Sequence, residues 1–486
     1  MDINQLNNKV GIAAKWSVIT EIAAKFVTPI TTMILARLLT PEAFGVVATV
    51  TMIVSFTEMF ADAGFQKYLV QHEFTDNKHK NDSTNVAFWT NLTIALLIWV
   101  IIIVFREPLA VMVGNPGLGL VIAVACIQLP ITSFSSIQMA LYRRSFDFKT
   151  LFFIRLIAIC IPFVVTIPLA IMGWSYWSII IGTICGAIVN AVVLTVKSEW
   201  KPQRFYSFSL LKEMISFSVW SLIEAISIWF SVWIDIFIIG SVLSIYYLGL
   251  YRTSLSMVNG ILGIITGATT PVLFAALSRL QNDENAFNTM FFRMQKIVAY
   301  LVLPMGVGIY LYSDIATQIF LGSQWTEASA IIGIWALTSA IMIILGNYCS
   351  EVYRSKGKPR LSFLAQVLHL IVLVPTCIIS LKYGFWVLVY ARALIRLQFI
   401  IVHLIIMKYA INFPVVEMFT NIRNPLVFTV LMCVLALGLQ QISPGIIWSL
   451  VSILLCTAFY FGLLGFFARE DVKPIVDIFI RKKAVE

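Results

Sequence analysis

The stretch NVAFWTNLTIALLIWVIIIVF, Asn85–Phe105, lies between Asp82 and Arg106 and contains no charge. A helix of about 20 apolar residues rises roughly 30 Å, enough to cross the hydrocarbon core of a bilayer. The rest of the chain repeats the pattern. Of its 486 residues 60% are hydrophobic and only 12% carry a charge, and the mean hydropathy is +0.91. A soluble protein is about 25% charged, so this chain cannot cover a water-facing surface of its size. That excludes a soluble enzyme, a disordered chain and a nucleic-acid module. The sequence describes a polytopic, all-α integral membrane protein.

Charges, Gly and Pro punctuate the apolar runs and predict about fourteen transmembrane helices. The first six cover 10–39, 44–69, 85–105, 117–141, 150–171 and 174–197. The next six cover 212–240, 245–278, 290–312, 327–353, 361–381 and 384–408, and the last two 423–442 and 445–468. With that alternation, 25 of the 34 Lys and Arg residues fall in loops and ends on one side; only Arg37, Arg106 and Lys382 fall on the other. Such asymmetry marks the basic side as cytoplasmic and places both termini there. It also accounts for the net charge of +10 without a nucleic-acid partner. The polar start, Met1 to Lys9, leads into a long apolar helix with no small-residue cleavage site, which predicts a retained first span.

An ungapped shift of 204 residues lays the first span on the seventh. Trp16-Ser17 meets Trp220-Ser221, Phe26 meets Phe230, Leu39 meets Leu243 and Gly45 meets Gly249. Six spans separate the copies, so they share one orientation, as in transporters built from parallel repeats about an axis normal to the membrane. The predicted organisation is a six-helix lobe at 1–200, a second at 201–410, two additional helices at 411–470 and an amphipathic cytoplasmic tail at 471–486. A central cavity between the lobes follows from that plan.

Seven cysteines lie in apolar runs without CxxC spacing, and four histidines are scattered. Neither pattern suggests a disulfide, a metal site or a cofactor. No Walker loop, HExxH or GxSxG sequence is present, so no catalytic residue is assigned. The informative residues are twelve charges inside the spans, each costing about 2.5–3.5 kcal/mol at the bilayer centre unless paired or hydrated. The cationic candidates for an anionic ligand are Lys25, Arg252, Arg392 and Arg396. Arg392 and Arg396 are four apart on one helical face, where two like charges require an acid or a ligand phosphate. Lys25 has an alternative partner in Glu21, four residues before it. Glu58 and Asp62, similarly spaced, are either structural partners of Lys15 or a neighbouring arginine, or a pair that shares a proton or holds a cation, with H+ or Na+ as the candidate coupling ion. Glu21, Glu224 and Asp235 are further coupling candidates, although Glu224 and Asp235 could instead pair with Arg252. Pro29 in span one, Pro162 and Pro168 in span five, and Gly260, Gly263, Gly267 and Pro271 in span eight predict interruptions or hinges. Val472, Ile475, Val476 and Phe479, beside Arg481, Lys482 and Lys483, give the tail a membrane-surface pattern.

Three segments carry a family resemblance: LARLLTPEAFG (Leu35–Gly45), FADAGFQKYLVQ (Phe60–Gln71) and PVLFAALSRLQND (Pro271–Asp283). Together they resemble the polysaccharide transporters of the multidrug/oligosaccharidyl-lipid/polysaccharide (MOP) superfamily, the Wzx-like flippases of O-antigen and capsule repeat units. The resemblance implies two six-helix lobes around a cavity, plus two helices. It also implies alternating-access transport of undecaprenyl-pyrophosphate-linked oligosaccharide across a bacterial inner membrane. Membrane lipid, a polysaccharide polymerase and glycosyltransferases are the partners it suggests. Arg37 and Arg279 belong to these segments and, near span ends, suit structural or gating roles, as do Pro29 and Pro271. The alternatives are a related ion-coupled multidrug exporter and a membrane polymerase or glycosyltransferase. The loop QHEFTDNKHKNDST (Gln71–Thr84) lacks the Gly-Asp-Arg-Gly pattern of major-facilitator transporters, and no large outer loop suggests an enzyme.

Overall fold

The computed structural model of the chain describes residue 24 and residues 27–62, 65–72, 74–145 and 147–468. Its regular structure is entirely helical among those residues. A helix satisfies every backbone group within its own segment, which hydrocarbon demands. The principal helices are α1 (Val27–Leu38), α2 (Pro41–Asp62), α3 (Phe65–Gln71), α4 (Asn77–Val104) and α5 (Gly119–Arg144). There follow α6 (Phe148–Ile171), α7 (Ser175–Lys197), α8 (Phe208–Val242), α9 (Ile245–Arg279) and α10 (Glu284–Leu311). The last five are α11 (Ala328–Ser355), α12 (Arg360–Leu381), α13 (Phe385–Ala410), α14 (Arg423–Gln440) and α15 (Ile446–Phe467). Twelve of them are long and apolar enough to span a bilayer. The described parts of the expected first and seventh spans are shorter apolar stretches, α1 and Val232–Val242 within α8. The expected amphipathic tail lies outside the described residues.

The fold is inside out relative to a soluble bundle. In α4, Ser83, Asn85, Thr90 and Asn91 are buried, while Leu97, Val100, Ile101 and Val104 form an exposed stripe at helical spacing. Lipid favours that stripe, and the buried polar groups bond between helices. Asn91 Nδ2 donates to Ser136 Oγ of α5 at 2.8 Å, the kind of contact that holds helices together in a bilayer. On the basic side, aspartates cap helix starts. Asp76 accepts from the His79 amide, Asp147 from Thr150 and Asp283 from Ala286. Arg144 donates to the carbonyls of Leu69 and His72 and so closes the end of α3.

The proline expectations divide. In α6 the helix widens into a π-turn at Pro162–Thr166, as a residue without an amide hydrogen allows. By contrast α9 continues through Pro271 and the three glycines without a break. A proline removes one backbone bond, and Thr266 and Thr269 hydroxyls donate to the Gly263 and Ile265 carbonyls in the turns just before it. A second π-turn, Ile343–Asn347 in α11, has no proline and was not expected from sequence.

The chain groups into two compact units, Met1–Thr253 and Ser254–Glu486. The first includes α8 because α8 packs along α2: Trp229 Nε1 donates to Ser55 Oγ at 3.0 Å and its ring lies on Phe56. In the second, α14 packs on α10 and α15 on α14. There Tyr460 donates to the Tyr300 carbonyl at 2.8 Å, and Tyr312 is hydrogen-bonded to Ser452.

One contact within the first unit bears on the repeat. A Cβ on Gly45 would collide with the carbonyl of Ile245, and a Cβ on Gly249 would collide with the carbonyl of Pro41. The shift of 204 that matches Gly45 to Gly249 also matches Pro41 to Ile245. Each copy therefore offers the same glycine to the same carbonyl of the other.

Candidate functional site

The end of α8 and the start of α9 are joined by only Leu243 and Ser244, so residues equally far from the link share one depth. Asp235 and Arg252 satisfy that condition, and Tyr251 is one residue short of it. Tyr251 donates to Asp235 Oδ2 at 2.9 Å, and the other carboxylate oxygen accepts the Ile236 amide at 2.8 Å. Both side chains are buried. The neighbouring Arg252 places its guanidinium 4.4 Å from the centre of the Trp233 ring and is drawn electrostatically to Asp235. An isolated carboxylate could not be buried here; one with two hydrogen bonds and a cation can.

In the second unit the charged pair on α13 meets a matching pair on α11. Arg392 and Arg396 are one turn apart, as are Trp335 and Ser339, and the two helices pack together. Arg396 lies 3.9 Å and Arg392 5.5 Å from the centre of the Trp335 ring. Arg396 Nη1 also donates to Ser339 Oγ at 2.7 Å. The ring is held from behind by α9, where Asn259 Oδ1 accepts the Trp335 indole hydrogen at 3.2 Å. A ring face so oriented stabilises a guanidinium by about 1–2 kcal/mol where water is scarce. The acid expected beside two adjacent arginines is thus joined or replaced by an aromatic ring. Both arginines are half-buried as residues.

Glu58, half-buried on α2, accepts from Thr132 Oγ1 of α5 at a long 3.5 Å. The side chains of its expected partner Asp62 and of Glu224, together with Glu21 and Lys25, lie outside what is described. Pro29 lies in α1 and Pro271 within α9; Arg37 and Arg279 are exposed near helix ends.

Sequence reading missed the aromatic half of both sites. Trp233 and Trp335 occur in apolar runs where a tryptophan looks like packing, and only tertiary placement puts an arginine over each ring. It also missed a cluster on the basic side. Tyr68 donates to Glu213 Oε1 at 2.9 Å, with His72 Nε2 at 3.4 Å and His79 Nε2 at 3.9 Å from the same carboxylate. No group of three or more His, Cys, Asp or Glu side chains among the described residues is arranged to hold a metal ion.

Comparison with known proteins places these sites in context. The succinoglycan biosynthesis transport protein ExoT of Rhizobium meliloti (strain 1021) is 26% identical over 67% of this chain; the aligned part spans 65% of the relative's length. The lipopolysaccharide biosynthesis protein WzxC of Escherichia coli (strain K12) is 18% identical over 77% of this chain and 76% of its own. Among solved structures, the lipid II flippase MurJ in an inward closed conformation superposes with a TM-score of 0.76 at 15% identity, covering 94% of this chain and 99% of MurJ. At that identity the likeness establishes a shared fold. The family model described as polysaccharide biosynthesis protein matches residues 34–330, from α1 into α11 and over both glycines of the reciprocal contact. This multi-pass membrane protein belongs to the polysaccharide biosynthesis protein family.

Proposed function

We propose that this protein is a flippase for lipid-linked oligosaccharide, moving undecaprenyl-pyrophosphate-linked repeat units from the cytoplasmic to the outer leaflet of a bacterial inner membrane. The observation that carries the reading is the pair Arg392 and Arg396 stacked on Trp335 within a spanning helix. Two guanidiniums one turn apart form a fork suited to a diphosphate, whose oxygens accept bidentate bonds. Their mutual repulsion falls when such an anion binds. The names of the relatives, a transport protein and a flippase, support the same direction. In this reading both termini and the basic loops are cytoplasmic, the two repeats alternate access to the cavity between them, and Lys25 and Arg252 add cations along the path. Glu58, with Asp62, is the candidate site of H+ or Na+ coupling. A polymerase and glycosyltransferases would supply and consume the cargo.

Deletion in the native host, followed by extraction of lipid-linked sugars, tests the reading. Intact repeat units should accumulate inside the cell and surface polysaccharide should fall. The variant carrying Arg392→Ala and Arg396→Ala should reproduce that block at normal protein level, with export down at least tenfold. Normal export in that variant would remove the diphosphate role. Glu58→Gln should blunt the response of transport to pH or Na+; an unchanged response would remove Glu58 from coupling.

A further inference from the structure

Within the first unit, the basic ends of α5, α6 and α7 line an open cavity of about 520 Å³, in which Arg143 and Arg155 are exposed and Asn190 is half-buried. Its wall includes Met139 and Arg143 of α5, Leu151 and Arg155 of α6, and Gly186 and Asn190 of α7. The volume is that of a small-molecule site. Its polar groups are two arginines and an asparagine, and no acid lines it among the described residues. Asp147, the nearest acid in sequence, is occupied instead with capping α6 through the Thr150 amide and hydroxyl.

Arg155 and Asn190 are the unusual members. Both lie inside helices that span the bilayer, and neither makes a hydrogen bond or ion pair among the described residues. Arg155 is seven residues into α6, about 10 Å from its start. Arg155 is within reach of the basic-side headgroups, and two arginines without an acid in one wall repel each other unless an anion joins them. Arg143 makes only a long bond to Gln66 Oε1, at 3.4 Å, and a contact with the Met139 sulfur. Opposite them Gly186 opens the cavity, since a Cβ placed there would meet nothing within 4 Å. The wall thus presents five-donor guanidinium groups and an amide to an open space with no counter-charge of its own.

We infer that this cavity binds the phosphate or diphosphate head of a lipid in the leaflet on the basic side. Guanidinium groups donate in pairs to phosphate oxygens, and the Asn190 amide can donate to a third. A lipid is the expected bearer, because its phosphate already sits at the level of these helix ends, and basic pockets between spanning helices hold such heads. The shared chemistry is met by a bilayer phospholipid or by a polyprenyl diphosphate. The site is separate from Arg392 and Arg396, which belong to the other unit, and it does not depend on the transport reading.

The test uses the purified full chain in neutral-lipid nanodiscs and measures binding of phosphatidylglycerol, undecaprenyl diphosphate and inorganic pyrophosphate. Both lipids, or undecaprenyl diphosphate alone, should bind. Arg155→Gln should weaken binding at least tenfold, Arg155→Lys less, and Asn190→Ala a few-fold. Gly186→Leu, which fills the cavity and leaves every charge in place, should also abolish binding. Arg204→Gln, an exposed basic residue elsewhere, should change nothing. Preference for undecaprenyl diphosphate over phosphatidylglycerol identifies a loading site for cargo; equal binding identifies a structural lipid. Pyrophosphate bound as tightly as either lipid would overturn the lipid assignment. Wild-type affinity for both lipids in Arg155→Gln and Gly186→Leu would overturn the site. If Arg155→Gln fails to accumulate, Asn190→Ala and Gly186→Leu decide it. Normal lipid binding in a chain that proves not to export sugars would leave this site standing and remove only the transport reading.

Discussion

Two arginine sites, one in each unit, use the same aromatic device to different ends. Arg252 lies on Trp233 beside Asp235, a buried carboxylate already fixed by Tyr251 and the Ile236 amide. Arg392 and Arg396 share Trp335, and their fixed hydroxyl partner is the neutral Ser339. The first site carries a counter-charge within its own hairpin. The second gathers two like charges on a ring and leaves both residues half-buried. A cation held with its acid contributes mainly to holding helices together, whereas two cations on a polarisable face stay able to attract an anion. The contrast supports a structural role for the first site and the proposed ligand contact for the second.

The strongest way to break it is Asp235→Asn. Asp235 accepts two hydrogen bonds while buried, and an asparagine would turn an amide NH2 toward one of those donors, leaving a buried polar group unsatisfied at a cost of about 1–3 kcal/mol. Thermal unfolding in detergent should show a large drop, and the added change Arg252→Gln should recover part of it. Strictly additive losses would mean that the two residues do not act together. Arg396→Lys is the intermediate case. It keeps the charge but loses the planar fork, so export should fall about tenfold, or roughly 1.4 kcal/mol, with stability unchanged. A stability loss equal to that of Asp235→Asn would erase the contrast between the sites. The smallest effect is expected from Trp335→Phe, which retains a ring face but gives up the Asn259 bond. Unfolding should shift by about 1 kcal/mol and export only a few-fold. If Trp335→Phe blocks export as fully as loss of both arginines, the ring itself contacts cargo.

Much of this architecture is legible from the chain because hydrocarbon imposes a simple rule. Runs such as Asn85–Phe105 must be helical, and charges gather where the chain leaves the membrane. The positions of Asp235 and Arg252 on adjacent spans also make their association readable, since a two-residue link forces equal depth. Other features depend on tertiary placement. Nothing in the spacing of Trp335 says that a helix 57 residues later will lay two arginines over it. Pro271 reads as a break, yet the helix absorbs it, while the π-turn at Ile343–Asn347 contains no residue that announces it. The histidines looked scattered because His72 and His79 meet at Glu213, far along the chain.

The reciprocal glycines have a consequence for how this sequence can change. Gly45 makes room for a carbonyl of the second copy, and Gly249 for the equivalent carbonyl of the first. Neither glycine serves the segment that encodes it. Most positions are free to change separately, but these two are hostages to each other. A larger side chain acquired in either copy damages the fit of both, and a compensating change in the other copy cannot restore it, because the obstructed partner is backbone. The pair should therefore be among the slowest-changing positions of the molecule.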